Sequence, residues 1–262
     1  MRPHARDEAP AFPPAAPLTP LRHGEPAYSP RNTDGDDMSS SFSDIARRRI
    51  STRAFLDTPV SEAEIRDILD TARWAASGGN LQPWTVHVVT GQARQRIIDT
   101  VRMRLEVDPF GDENDFGAYP KSLWEPFRTR RHALGEQMYE TMGIDRDNKP
   151  ARLNHLLKNF EFFGAPVGLF FSLDARMNPN QWGHLGMFIM CVMLAAEEKG
   201  LATCAQEAWM TRWKTVGAAI GLSPEERIWC GMALGHADPD AAVNTLRSER
   251  DAVDSFTTFL EH

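Results

Sequence analysis

Apolar residues recur at helical spacing behind Ser61, at Ile65, Ile68, Leu69, Ala72 and Ala76, and Glu64 stands three residues after that serine. A capping box followed by a one-sided apolar stripe predicts a helix that runs to about Ser77, where Gly78 and Gly79 stop it. A shorter helix is expected ahead of it, over 43–49. Residues 85–89 (TVHVV), closed by Thr90 and Gly91, read as a strand, and a further helix is expected over 93–105. A helix over 151–163 ends in Phe160, Phe162 and Phe163, and Gly164, Ala165 and Pro166 turn the chain into a buried strand, 167–172.

Residues 185–196 (LGMFIMCVMLAA) are apolar on every side and finish in Glu197, Glu198, Lys199 and Gly200, a helix end with its C′ glycine. Such a helix is buried all round and is suited either to the middle of a core or to a seam between two copies. Residues 201–206 lead into a helix over 211–220. Ser223, Pro224, Glu225 and Glu226 are expected to open one more helical turn, with Pro at the first position. A strand over 228–234 ends at Gly235, and a polar tail from Asp238 carries a last amphipathic piece, 253–260. Few strands joined by long helices point to α+β or α/β layers, and no internal repeat is visible.

At 262 residues the chain can bury one sizeable core. Residues 1–40 stand apart: prolines recur there among polar residues with few branched apolars, so the segment is expected to be a disordered tail. Met38 is a natural start for the folded part, which is expected to span 41–262. Within it, residues 106–149 have the least regular pattern, with Pro109, Gly111, Gly117 and Pro120 ahead of a charged helix over 131–142. A stretch of that length in a compact domain serves a site or a partner, as a lid or as a dimer arm.

The formal net charge of -7 argues against nucleic acid, whose phosphates need an extended basic surface. No run of apolar residues is long enough for a membrane span and no signal peptide is visible, so a cytoplasmic protein is expected. Cys191, Cys204 and Cys230 lie in apolar sequence without metal-ligand spacing and read as buried, reduced thiols. The G-x-S-x-G, P-loop, H-E-x-x-H and G-x-G-x-x-G motifs are missing, and His87, His184 and His236 read as structural histidines. The exception is Arg47 to Phe55 (RRRISTRAF), a local cationic cluster with two hydroxyls in an acidic chain. Guanidinium forks bind phosphate in bidentate fashion, with hydroxyls and backbone N–H groups filling the other oxygens. On charge alone two readings stay open, an anion site or a solvated helix face.

Further motifs decide between them. The order R-x-S-x-R-x-F (Arg49, Ser51, Arg53, Phe55), then S-x-x-N-x-Q-P-W (Ser77, Asn80, Gln82, Pro83, Trp84), FFGAP, LAAEEKGLATC and ALGHADPDAAVNTLRSER resembles the FMN-dependent nitroreductase family over residues 44–259. The resemblance implies a nitroreductase-like fold, a mostly antiparallel central sheet flanked by helices, in an intertwined homodimer. It implies FMN bound at the dimer interface, with NADH or NADPH as hydride donor. Matched by position, Arg49 and Arg250 are the arginines that hold the FMN phosphate, and Ser51 is the hydroxyl beside it. Arg53 is the basic residue near the ribityl chain and the N1–O2 edge. Ala76, Ser77, Gly78 and Asn80 are the segment that reaches the flavin from the other subunit, and Gln206, Glu207 and Ala208 offer backbone donors to the N5–O4 edge. The chain departs from the pattern at Ala76, usually Pro, at two glycines where hydroxyl residues are usual, and at Ser248, usually basic. Arg247 is placed to supply the charge lost at Ser248.

No side chain is assigned as a catalytic acid or base. The implied activity is two-electron, ping-pong hydride transfer from NAD(P)H to a small aromatic acceptor, nitroaromatic or quinone. Trp124, Phe127, Arg128, Arg130, Arg131 and Tyr139 in the 106–149 region suit either an aromatic acceptor, with or without a carboxylate, or the packing of a dimer arm. The length of this region resembles the larger nitrobenzene and nitrobenzoate reductases. Two other classes stay open from sequence: the same fold with another reaction, such as reductive dehalogenation or enone reduction, and a flavin-binding module without catalysis.

Overall fold

A computed structural model describes residues 41–112, 118–120 and 122–260. The elements in order are α1 (Phe42–Arg48), α2 (Glu62–Ala72), β1 (Thr85–Thr90), α3 (Gly91–Val107), α4 (Phe127–Thr141), α5 (Lys149–Leu157), β2 (Val167–Asp174), α6 (Pro179–Glu198), β3 (Ala202–Gln206), α7 (Trp213–Ile220) and β4 (Glu226–Gly235). The main compact unit is Ser39–Ser248, and Glu249–His262 falls outside it.

The four strands form one sheet in the order β1-β2-β4-β3, and every pairing is antiparallel. Alternation along β2 sends Val167, Leu169, Phe171 and Leu173 to one face, where they meet Ile65, Ile68 and Ala72 of α2 and Leu185, Phe188, Ile189 and Val192 of α6. Phe170 points to the other face, into a second core with Ile97, Ile98 and Val101 of α3 and Val216 of α7. The apolar 20-residue α6 is therefore a core helix laid on the sheet. A register shift after Phe171 lets Ile228 serve the second core while Cys230, Met232 and Leu234 serve the first, because an extra residue in one strand reverses the alternation.

In the second core, aromatic rings pack directly against strand glycines. A Cβ at Gly231 would fall 2.2 Å from the Trp209 ring, and one at Gly168 would fall 2.4 Å from the Phe162 ring. Phe162 and Phe163 reach their places through left-handed backbone (φ 53° and 52°), a conformation that costs energy at a non-glycine residue and persists where packing over-determines it. This is the structural content of the FFGAP motif.

The expected elements depart from these in several places. Helix α2 ends at Ala72 instead of Ser77, because the Trp74 and Ala75 N–H groups turn back to the Thr71 and Ala72 carbonyls and tighten its last turn. The helix expected over 151–163 is α5 followed by a 3₁₀ segment, Lys158–Gly164. Residues 202–206 form an unexpected strand. Ser223 to Glu226 closes a single turn, with the Glu226 N–H on the Ser223 carbonyl, and β4 starts at once. Of the amphipathic piece 253–260, only a 3₁₀ turn, Val253–Ser255, is regular. The expected tail, 1–40, lies outside the described residues.

Candidate functional site

Arg49 caps α1 and leaves helical backbone (φ −53°, ψ 124°), so the chain continues extended along the free edge of β3. Ser51 bridges Thr203 in parallel, and the Thr52 N–H donates to the Thr203 carbonyl at 3.0 Å. Farther on, the Leu56 N–H meets the His236 carbonyl and the Asp238 N–H meets the Ala54 carbonyl, which fastens the segment to the turn after β4. In extended chain, alternate residues share a side. Thr52 is buried, whereas Arg49, Ser51 and Arg53 are half-buried on the opposite side.

The guanidiniums of Arg49 and Arg53 both act on the Cys204 thiol of β3, which places the two charges beside that strand. Burial still dominates there: it pushes Cys204 up to about 11 and Cys230 up to about 12, so neither thiol ionises near neutrality. Among the described residues Arg53 has no carboxylate partner, and its Nη1 donates to the Ser51 carbonyl at 3.1 Å. A half-buried cation paired only with a carbonyl retains donors for an external anion.

Asn244, which sequence reasoning missed, locks this strand. Its Oδ1 accepts from the Arg53 N–H at 2.9 Å, and its Nδ2 donates to the Ala54 and Asp238 carbonyls, each at 2.9 Å. His155 of α5 is a second missed neighbour. It is buried between Tyr139 and Phe163, and burial, with the Lys158 and Arg53 charges, lowers its pKa to about 4. It is neutral at physiological pH and does not compete with Arg53 for an anion. Arg47 is exposed, and Arg48 pairs with Glu197 at the end of α6 through Nε at 3.1 Å.

At the end of β3 the Gln206 side chain is spent internally. Its Nε2 donates to the Asn159 carbonyl at 2.8 Å, and its Oε1 accepts from the Trp209 indole at 3.2 Å. Glu207 and Ala208 open a 3₁₀ turn, Glu207–Arg212, that has no side-chain cap, so their backbone N–H groups lack intrahelical acceptors. Protein atoms crowd the Glu207 carboxyl enough to push its pKa up, although the residue as a whole is exposed. Asp112, also unforeseen, accepts from the Thr215 N–H at 2.8 Å and from its hydroxyl at 2.9 Å, and so caps the start of α7 from the 106–149 region.

The remaining predicted residues lie elsewhere. Ala76, Gly78 and Asn80 are exposed and Ser77 is half-buried. They sit against the first turns of α6, where the Gly78 N–H faces His184 Nδ1 at 3.4 Å, and Trp84 stacks on Phe188 at 4.7 Å between centroids. Arg48 contacts the opposite end of the same helix. At about 1.5 Å per residue, His184 and Glu197 are roughly 20 Å apart. The structure thus gathers Arg49, Ser51, Arg53, Gln206, Glu207 and Ala208 around β3 and leaves the 76–80 loop at the far end of α6. Arg250 belongs to the C-terminal unit, where its Nη1 donates to the Glu249 carbonyl at 2.9 Å.

The model of the Nitroreductase family matches residues 46–236. A 4-nitrobenzoate reductase of Pseudomonas putida is 35% identical over 223 residues, which is 85% of this chain and 97% of that protein. A nitrobenzene nitroreductase of Ectopseudomonas oleovorans is 35% identical over 217 residues, 83% of this chain and 96% of that one. Among solved structures, the FMN and NADPH-dependent nitroreductase NfnB of sphigopyxis sp. strain HMH superposes with a TM-score of 0.83 at 39% identity, covering 85% of this chain and all of that one. The FMN-dependent NfnB of Mycobacterium smegmatis, solved with NADPH, superposes with a TM-score of 0.77 at 28% identity, over 83% of this chain and 96% of that one.

Proposed function

The chain belongs to the nitroreductase family, and from that premise we propose that it is an FMN-dependent oxidoreductase that takes hydride from NADPH or NADH and delivers two electrons to nitroaromatic acceptors, with quinones as further acceptors. The observation that carries the reading is the trio Arg49, Ser51 and Arg53, on one side of an extended segment, with Arg53 held half-buried and without a carboxylate partner among the described residues. These residues fit a phosphate-bearing group: the guanidiniums supply charge and paired donors, and the Ser51 hydroxyl fills a remaining oxygen. The uncapped N–H groups of Glu207 and Ala208 fit the polar edge of a flat heterocycle. Arg250 joins the phosphate ligands by its match to the family's second arginine.

When bound, FMN supplies the hydride chemistry between nicotinamide and acceptor. The chain's own contribution is position and field. Arg53 would supply fixed positive charge to bound FMN, favouring the negative charge of its reduced form. His155, neutral behind it, adds no second charge.

The arginine cluster is tied through Arg48 to Glu197 at one end of α6, and the 76–80 loop meets His184 near the other, so one copy holds the two groups apart. We assign the protein to a homodimer in which the exposed 76–80 loop of one copy completes the cluster of the other. The exposed surface around α4, where Trp124 meets Phe127 edge-on and the Arg131 guanidinium lies 4.3 Å from the Tyr119 ring centroid, is assigned to the lid or arm that admits the aromatic acceptor. The test is flavin content. The purified protein is expected to carry FMN, and Arg53→Ala and Arg250→Ala are each expected to weaken its binding about tenfold or more, the scale of a lost charge-assisted contact. Full retention by both variants would contradict the assignment.

A further inference from the structure

The 76–80 loop carries the chain's clearest departures from the family pattern, including glycine at 78. The geometry around it supplies a reason. A Cβ at Gly78 would lie 3.0 Å from His184 Cε1 and 3.7 Å from its Nε2, closer at the first than side chains ordinarily approach. The same imidazole faces the Gly78 N–H through Nδ1 at 3.4 Å, and the Oε1 of Gln181, three residues earlier on α6, lies 3.0 Å from that nitrogen.

The loop beyond is strained. Gly79 (φ 61°), Asn80 (φ 56°) and Gln82 (φ 47°) are all left-handed, and two of the three are not glycine. Strained backbone persists only where its surroundings over-determine it, and it gathers at functional sites. Inside the loop, Ser77 Oγ accepts from the Gln82 N–H at 3.0 Å and the Ser77 carbonyl accepts from the Asn80 N–H at 2.9 Å. The side chains brought against it from α6 are His184 and Gln181.

We propose that His184 is a positioning residue for the flavin-facing loop: its ring occupies the volume a side chain at 78 would need and its Nδ1 receives the Gly78 N–H, so glycine at 78 and histidine at 184 are a matched pair. This rests on the functional reading above. It adds that FMN binding depends on a residue of α6 outside the matched motifs. Gln181 Oε1 and the Gly78 N–H compete for the same ring nitrogen: the Nε2–H tautomer accepts from Gly78 at Nδ1, whereas the Nδ1–H tautomer donates to Gln181.

The pair is tested by a double-mutant cycle of Gly78→Ala and His184→Ala, read as the FMN dissociation constant from flavin fluorescence and as the melting temperature of the apoprotein. Gly78→Ala is expected to weaken FMN binding about five- to tenfold in the parent, the scale of one displaced hydrogen bond, and by less than twofold when His184 is already alanine. His184→Asn, whose Oδ1 stands where Nδ1 was, is expected to restore most of the affinity lost by His184→Ala, which a purely space-filling role would not produce. Additive effects of the two alanine variants on both readouts, or no rescue by asparagine, overturn the pairing while leaving FMN binding in place. A parent protein that takes up no FMN overturns the functional reading and this inference with it.

Discussion

Asn244 fixes the position of Arg53 with one side chain, by accepting from its N–H and donating to the carbonyls on either side of the fold-back. Nothing in local periodicity announces this, because Arg53 and Ala54, two of its three partners, lie 191 and 190 residues earlier in the chain. Arg49, Ser51 and Arg53 were legible because alternate spacing of cations and a hydroxyl in an acidic chain stands out without knowledge of the fold. Asn244→Ala leaves the Arg53 N–H and two carbonyls short of a partner. We expect a loss of about 2–3 kcal/mol in urea unfolding and a clear drop in FMN affinity, and Asn244→Asp, which keeps the acceptor for the Arg53 N–H but sets an oxygen against the two carbonyls, should lose at least as much. Unchanged stability in Asn244→Ala would remove Asn244 from the site's framework. His184 was set aside from sequence as an ordinary structural histidine; only the backbone it touches gives it weight.

Helix α2 shows how far periodicity reaches. Its capping box forms, with the Ser61 hydroxyl and Glu64 carboxylate each accepting from the other residue's N–H. Its end does not follow the stripe, since Ala76 is an apolar residue that the tertiary fold leaves exposed. Strand β3 was unreadable because ATCAQ is short and lacks strong β-formers, and its pairing with β4 decides it. On β4, Gly231→Ala would drive a methyl into the Trp209 ring, and we expect a loss of about 1–3 kcal/mol from overpacking, seen as a lower melting temperature. Helix α5 carries a pH dependence. With its folded pKa near 4, below the usual histidine value, His155 binds fewer protons in the folded state than in the unfolded one. Its contribution is therefore full above about pH 6.5 and is lost as pH falls towards 4, to about 3 kcal/mol at the acid end. Urea midpoints at pH 7 and pH 4.5 should diverge less in His155→Leu than in the parent; an equal divergence would show that His155 is not the group responsible.

On the scale of the whole molecule, the sheet with helices on both faces was foreseen as a class, and the resemblance supplied the rest. The separation of the two residue groups along α6 was not foreseeable, because it depends on which loop meets which end of a buried helix. Among the described residues no helix is long and apolar enough to cross a membrane. If each site draws on two copies, an Arg53→Ala chain and an Asn80→Ala chain complement each other. Each alone should bind flavin weakly, and a mixed dimer should regain one good site out of two. Absence of any regain in mixed dimers would place the whole site within one copy.

Anaerobic rapid mixing tests electron transfer through bound FMN to a nitro group in two half-reactions. NADPH or NADH should bleach the yellow flavin absorbance of the purified protein, and a nitrobenzene or 4-nitrobenzoate added after the nucleotide is exhausted should restore it at a rate that rises with acceptor concentration. Flavin that neither nucleotide bleaches, or that nitroaromatics reoxidise no faster than buffer does, would contradict the proposed function.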